Sequence, residues 1–381
     1  MIFSLPFLIF SQLFACKGCQ ENDIIDQGKL QNEDPGFTNH WGRWLDMTIT
    51  RDGNPAVVYY DSTQGGIGIA YGSLENGEIS WTHEEVDGYP NEQGLDEGDR
   101  GLYASIEITA DNTIWVSYYD VGLKNLRYAT KGPDDTEWTK AIADSGSGSS
   151  SDMGLFTDMA LDAQGNPIVV HYDQVRKDLR VAHWDGTTFN SEVIDEGEDF
   201  VSSDELIAEN TGKFASIAYA DGVEYISYYD EAAGDLRLAI GTSGSYSLET
   251  IDTEGDVGQW TSLTIFNETI YIAYHDVSND QLKLAQGRTG SFTTEVVEQG
   301  NAIGADSEIL VNDNGIYIAY HDGYNNDIKL ASFTNDAWSI DTLGGTETAL
   351  GFHNELIELN GNIYAACYNF TDNNVWFDQI P

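Results

Sequence analysis

Seven times the chain repeats one short phrase: a Tyr or His, an Asp (Asn in the last copy), four loosely chosen residues, a small polar or Gly position, an aliphatic residue, and usually a base, an apolar residue and Ala. The close copies run from Tyr118-Tyr119-Asp120 to Ala129, Tyr172-Asp173 to Ala182, Tyr229-Asp230 to Ala239, His275-Asp276 to Ala285 and His321-Asp322 to Ala331. A looser copy opens the series at Tyr60-Asp61 to Ile69-Ala70, and Tyr368-Asn369 to Asn374-Val375 ends it. Repetition over most of the chain makes it an array of one supersecondary unit, not a string of unrelated domains.

Successive anchors lie 46 to 59 residues apart, the period of a four-stranded propeller blade. The third copy shows the grammar: Phe156 to Leu161 is a strand, Asp162 to Asn166 a turn, Pro167 to Asp173 a second strand, Leu179 to Trp184 a third and Phe189 to Asp195 a fourth. The last copy supplies three strands before the chain ends, while Asp23 to Gly28 reads like the fourth strands Glu192 to Gly197 and Glu249 to Asp252. The expected fold is therefore all-β: a seven-bladed β-propeller of four-stranded antiparallel blades, its ring closed by the N-terminal strand, which removes exposed sheet edges.

The 17 basic and 64 acidic side chains give a formal charge of −47, which repels phosphate backbones and argues against nucleic acid or an anionic lipid surface as partner. That much acid serves solubility, or it captures cations or a basic partner. Residues 1–15 form an apolar run too short to span a membrane, followed by Leu13-Phe14-Ala15-Cys16. This segment resembles a bacterial lipoprotein signal. The resemblance implies cleavage before Cys16, a lipid on Cys16, a tether over 16–22 and a single propeller over 23–381. It also implies an outer-membrane lipoprotein of the cell envelope, touching the membrane only through its anchor. An ordinary secretory signal is the alternative. Cys367 replaces a repeat Tyr within a strand and is expected to be a buried free thiol.

Most of the repeated residues are expected to serve the blade. The recurrent Asp ends a strand, where its carboxylate can accept the N–H groups of the following turn. Arg127, Arg180, Arg237, Lys283 and Lys329 recur across the same hairpin and are expected to pair with those acids.

The start of each innermost strand is more informative. A Gly precedes an aromatic residue by two, and a small or acidic residue follows two later. The aromatic set is Trp44, Tyr103, Phe156, Phe214 and Trp260, and the polar set Asp46, Ser105, Asp158, Ser216 and Ser262. Blades six and seven break the pattern, with Asp306 before Glu308 and His353 before Glu355. Departure from a repeat's own consensus is where function is grafted. Asp46, Asp306, Glu308, His353 and Glu355 should converge at the channel mouth as a candidate calcium site of oxygen ligands, or as a hydrated acidic channel. His40, Trp41, Arg43, Trp44 and Trp260 are candidate ligand contacts by stacking and charged hydrogen bonds.

The chain is similar to bacterial exported seven-bladed propellers, a group that includes sialidases, other glycosidases, lyases, lectins and scaffolds. The sialidase Asp-box, a Gly-x-Ser-x-Gly elbow and a His-Glu-x-x-His motif are absent from the sequence. The leading expectation is a monomeric, non-catalytic surface lipoprotein that binds a glycan or protein. The alternative is a calcium-dependent glycoside hydrolase or polysaccharide lyase working through the acidic cluster; a scaffold without a small ligand is the third.

Overall fold

A computed structural model describes residues 41–75, 78–89, 98–147, 151–197, 200–202, 205–207, 210–344 and 348–380. Seven antiparallel sheets surround a common axis, and no helix occurs among the described residues. Their innermost strands are Trp41–Ile49, Arg100–Ile108, Met153–Leu161, Thr211–Ala220, Val257–Phe266, Ile303–Asn312 and Phe352–Leu359. In each sheet the strands are ordered from inside to outside in chain order, so the fold is a seven-bladed β-propeller.

Blades one to six have four strands; the seventh shows three, Phe352–Leu359, Asn362–Asn369 and Asn374–Gln379. Its expected fourth strand, residues 23–28, lies outside the described residues, as do Cys16 and the leader. The ring is nevertheless closed by packing, because Leu45, Met47 and Val57 of blade one share a core with Ile357, Val375 and Phe377 of blade seven.

The second strands, covered on both faces by neighbouring blades, are largely buried; Pro55–Asp61 and Pro167–Asp173 are buried at every residue. Six of them end in the recurrent Asp, which caps the following turn as expected. Asp120 accepts from the Leu123 N–H at 2.8 Å, Asp173 from Val175 and Arg176 at 2.9 Å, and Asn369 takes the same role with Thr371 at 3.1 Å.

The repeated bases depart from expectation. Their main partner is an acid at the end of the preceding blade's outer strand. Lys283 lies 2.5 Å from Asp252, Arg180 3.0 Å from Asp144 and Arg127 3.4 Å from Asp87, while Lys329 contacts Glu298. Arg237 alone divides itself evenly, 3.5 Å from Asp195 and 3.2 Å from its own hairpin's Asp230. A phenol of the second strand completes each junction: Tyr118 donates to Asp87, Tyr228 to Asp195, Tyr274 to Asp252 and Tyr320 to Glu298, with His171 in that place beside Asp144. The hairpin Asp commits Oδ1 to the turn, and the repeated cation finds its nearer counter-charge across the blade interface in four of the five cases. Between blades six and seven the whole set is replaced by Leu343, Cys367 and Trp376, which pack in one apolar cluster; Cys367 is the buried free thiol foreseen.

Glycine starts each inner strand because the neighbouring blade is too close for anything larger. A Cβ on Gly212 would stand 2.6 Å from the Leu179 Cα, and one on Gly258 2.8 Å from the Leu236 Cα, at φ values of +105° and +106°.

Candidate functional site

Two residues after that glycine the backbone turns left-handed in every blade, at Trp44, Tyr103, Phe156, Phe214, Trp260, Asp306 and His353, with φ between 50° and 54°. The pairing register slips at the same point, for example between Lys213 and Ser216 and between Gln259 and Ser262. These are bulges that lift one side chain per blade out of the strand's alternation.

The lifted rings stack around the axis. Centroid separations are 4.4 Å for His353 and Trp44, 4.1 Å for Trp44 and Tyr103, 4.8 Å for Tyr103 and Phe156, 4.7 Å for Phe156 and Phe214, and 4.5 Å for Phe214 and Trp260. Interplanar angles of 39° to 53° are close to one-seventh of a turn. The separations are too short for rings lying edge to edge, so each ring turns its face to its neighbours, like the paddles of a wheel. Both faces of Trp44 are thereby covered, by Tyr103 and by His353.

Asp306 interrupts the wheel. It leaves the face of Trp260 toward blade six without an aromatic neighbour, and its Oδ1 lies 3.7 Å from His353 Nδ1. With neighbouring paddles 4.1 to 4.8 Å apart, skipping one place sets Trp260 and His353 about 8 Å apart, with the Asp306 side chain between them. This notch is the irregular point of an otherwise regular mouth.

Beneath the wheel comes a ring of polar side chains, Asp46, Ser105, Asp158, Ser216, Ser262, Glu308 and Glu355, lining a cavity of about 320 Å³. Several of them tie one blade to the next. Asp46 accepts from the Ile106 N–H at 2.7 Å, Asp158 from Ile217 at 2.8 Å, Ser216 from Leu263 at 3.1 Å and Ser262 from Ile309 at 3.0 Å. Ser262 also donates to Glu308 at 2.7 Å.

Convergence on the axis leaves these acids partly buried and crowds them together. Burial pushes Asp46 and Asp306 up to about 7, and the charge of Asp158 adds to the effect on Asp46. Glu308 and Glu355 are pushed up by burial and then by neighbouring carboxylates. Burial, followed by the positive charge of Arg43, pushes His353 down to about 3. Glu107, also in the cavity wall, is pushed up to about 8 by burial and then by the charges of Asp46 and Asp158.

All five candidate metal ligands therefore line one cavity. Carboxylate oxygens suit calcium, yet among the described residues no group of three or more His, Cys, Asp or Glu stands together so as to hold a metal ion.

The candidate ligand contacts separate. His40 lies outside the described residues, Trp41 is placed only as the first residue of its strand, and Arg43 stands over the Tyr368 ring at 5.5 Å. Trp44 and Trp260 join the wheel, and Trp260 borders the notch. Sequence reasoning missed Glu107 and Asn354. Glu107 falls two residues after Ser105, in step with the channel alternation, but no other blade carries an acid there. Asn354 donates to the carbonyls of Asp306 and Gly351 at 2.7 and 2.9 Å, a role that spacing does not reveal.

No protein-family model and no curated protein matches the chain. Among solved structures, a polysaccharide lyase is similar at a TM-score of 0.57 and 10% identity, over 93% of this chain and 94% of that one. A prolyl endopeptidase is similar at 0.54 and 8% identity, over 90% of this chain and 50% of that one. A dihydro-heme d1 dehydrogenase is similar at 0.51 and 11% identity, over 87% and 62%. At such identities the likeness is one of fold, the β-propeller that these otherwise different proteins share.

Proposed function

We propose that this protein is a non-catalytic ligand-binding propeller that takes a saccharide at the notch between blades five and seven. The observation that carries the reading is the interruption of the aromatic wheel. One indole face without an aromatic neighbour, that of Trp260, stands next in the ring to a buried carboxyl, that of Asp306. An indole face stacks on the C–H face of a pyranose ring, and a carboxyl oxygen accepts from its hydroxyls. A polysaccharide lyase among the structural neighbours accords with this but adds only fold-level analogy.

Retention on a panel of immobilised oligosaccharides tests the proposal. A binder should be found, and Trp260→Ala should weaken it about tenfold or more while leaving the melting temperature within a few degrees. Failure of every saccharide to bind, or indifference to Trp260→Ala, would sink it. Export and lipid attachment at Cys16 belong to the same proposal; mass spectrometry of the mature N-terminus checks them.

The raised carboxyls favour one other reading, a calcium-assisted hydrolase or lyase, for which calcium would have to draw ligands closer than they stand. That reading requires a melting temperature several degrees higher in calcium than in chelator, a difference reduced in Glu355→Gln, together with cleaved product.

A further inference from the structure

On the mouth face the residue after the inner-strand Gly meets the residue after the recurrent Asp or Asn. In blade seven these are Phe352 and Phe370, with ring centroids 6.0 Å apart, and in blade four Lys213 and Glu231, an ion pair at 2.6 Å. Blade one has Arg43 and Ser62 at the same places. Lys213 and Arg43 each stand over a Tyr of the preceding blade, Lys213 5.8 Å from the Tyr172 ring and Arg43 5.5 Å from the Tyr368 ring. Blade four is thus an internal control for blade one.

The control leaves Arg43 without a carboxylate. Lys213 has Glu231, whereas Arg43 has no acid partner among the described residues, in a chain of 64 acids and 17 bases. The acids nearest in register serve other groups. Asp99 accepts from Tyr60, the cross-strand partner of Arg43, at 2.6 Å, and Asp61 accepts from the Thr63 N–H at 2.8 Å. A guanidinium placed over a ring keeps its in-plane N–H fork for a planar anion. A second observation is independent of charge. Phe370 is 55% exposed, one of only two exposed aromatic rings among the described residues, and it stands 6.3 Å from the same Tyr368. Both residues adjoin the notch, because Trp44, next in the chain to Arg43, stacks on His353 at 4.4 Å, and the Arg43 charge acts on that imidazole.

We infer that Arg43 receives the carboxylate of a uronic acid unit carried by the saccharide, with Phe370 stacking on the sugar ring beside it. The inference rests on the saccharide reading and narrows it to chains that bear an acidic sugar. A carboxylate brings two acceptors at the spacing of the guanidinium fork, and a pyranose lays its C–H face on an aromatic ring. The net charge of −47 opposes a phosphate backbone far more than a single carboxylate. Physiological salt screens exposed charges beyond about 8 Å, so the contact with Arg43 dominates at short range.

The test is calorimetric titration at neutral pH and physiological salt with xylotetraose and with xylotriose bearing one methylglucuronic acid. The acidic tetramer should bind about tenfold or more tightly than the neutral one. Arg43→Gln should erase that preference. Ser62→Glu, which gives Arg43 the partner that Lys213 has, should erase it as well without lowering the melting temperature, separating loss of the site from loss of the fold. Phe370→Ser should weaken both tetramers. Equal or tighter binding of xylotetraose overturns the inference and leaves the saccharide reading standing, and so does a preference that survives both Arg43→Gln and Ser62→Glu. Should neither tetramer bind, sodium acetate is compared with sodium chloride at equal ionic strength by tryptophan fluorescence, with Trp44 beside the guanidinium as reporter. A change lost in both Arg43→Gln and Ser62→Glu retains the carboxylate contact and removes the saccharide. A change that persists in either variant, or no change, overturns the inference altogether.

Discussion

Left-handed backbone at a bulky residue costs of order 1–3 kcal/mol, and this chain bears it at the same point of the inner strand in every blade. At Trp44, Tyr103, Phe156, Phe214 and Trp260 the cost is offset by stacking, worth about 0.5–1.5 kcal/mol per pair. Asp306 has the same φ of 50° with no ring to stack on and a carboxyl that burial holds up at about 7. The residue is therefore kept at the expense of stability, as expected of a functional position. Replacing Asp306 with Phe should raise the melting temperature by about 1–3 °C, read by calorimetry; a fall would mean that the notch is too small for a ring and that the paddle geometry is wrong there. The sequence pattern of Gly, aromatic and small residue identified the members of the wheel and its two exceptions. It could not show which faces meet, because each contact joins residues about one blade apart in the chain.

At the scale of the strand and its neighbours, stability rests on junctions between blades. Asp252, Tyr274 and Lys283 form one such junction, with Lys283 6% and Asp252 7% exposed. Removing one member leaves a buried charge without a partner, so Asp252→Ala should cost about 3–5 kcal/mol. The chain itself contains the alternative, since Leu343, Cys367 and Trp376 stand at the equivalent places between blades six and seven. Asp252→Leu, Tyr274→Cys and Lys283→Trp introduced together should therefore lose far less than Asp252→Ala alone. Denaturant melts of the two variants decide the matter, and equal losses would show that the apolar set depends on its own blade. The repeat made the blades, their strands and the capping Asp legible. The partner of each base was not, because the acid that meets it lies in the preceding blade, where alternation within a hairpin gives no information.

The molecule as a whole carries its acid in two populations that titrate in opposite senses. Asp87, Asp144 and Asp252 at the blade junctions are held below the usual carboxylate range by hydrogen bonds and adjacent cations that outweigh burial. Their contribution is present above the unfolded value near 4 and is lost as pH falls further. Asp46 and Asp306 at about 7 and Glu107 at about 8 behave in reverse, because the folded chain holds their protons where the unfolded chain has released them. Stability from these three is full near pH 4 and falls as pH rises through 7 to 8. The melting temperature should accordingly peak between pH 4 and 5 and drop by several degrees toward pH 8, a profile set by convergence on the axis that composition alone does not specify. Repulsion among surface acids slopes the same way, but salt screens it over about 3 Å at 1 M and reaches the buried channel much less. Melting curves from pH 4 to 9 with and without 1 M sodium chloride, for the natural chain and Glu107→Gln, separate the two. The decline that survives in salt should be shallower in the variant. A profile that salt flattens completely would assign the pH dependence to the surface and mean that water reaches the channel acids.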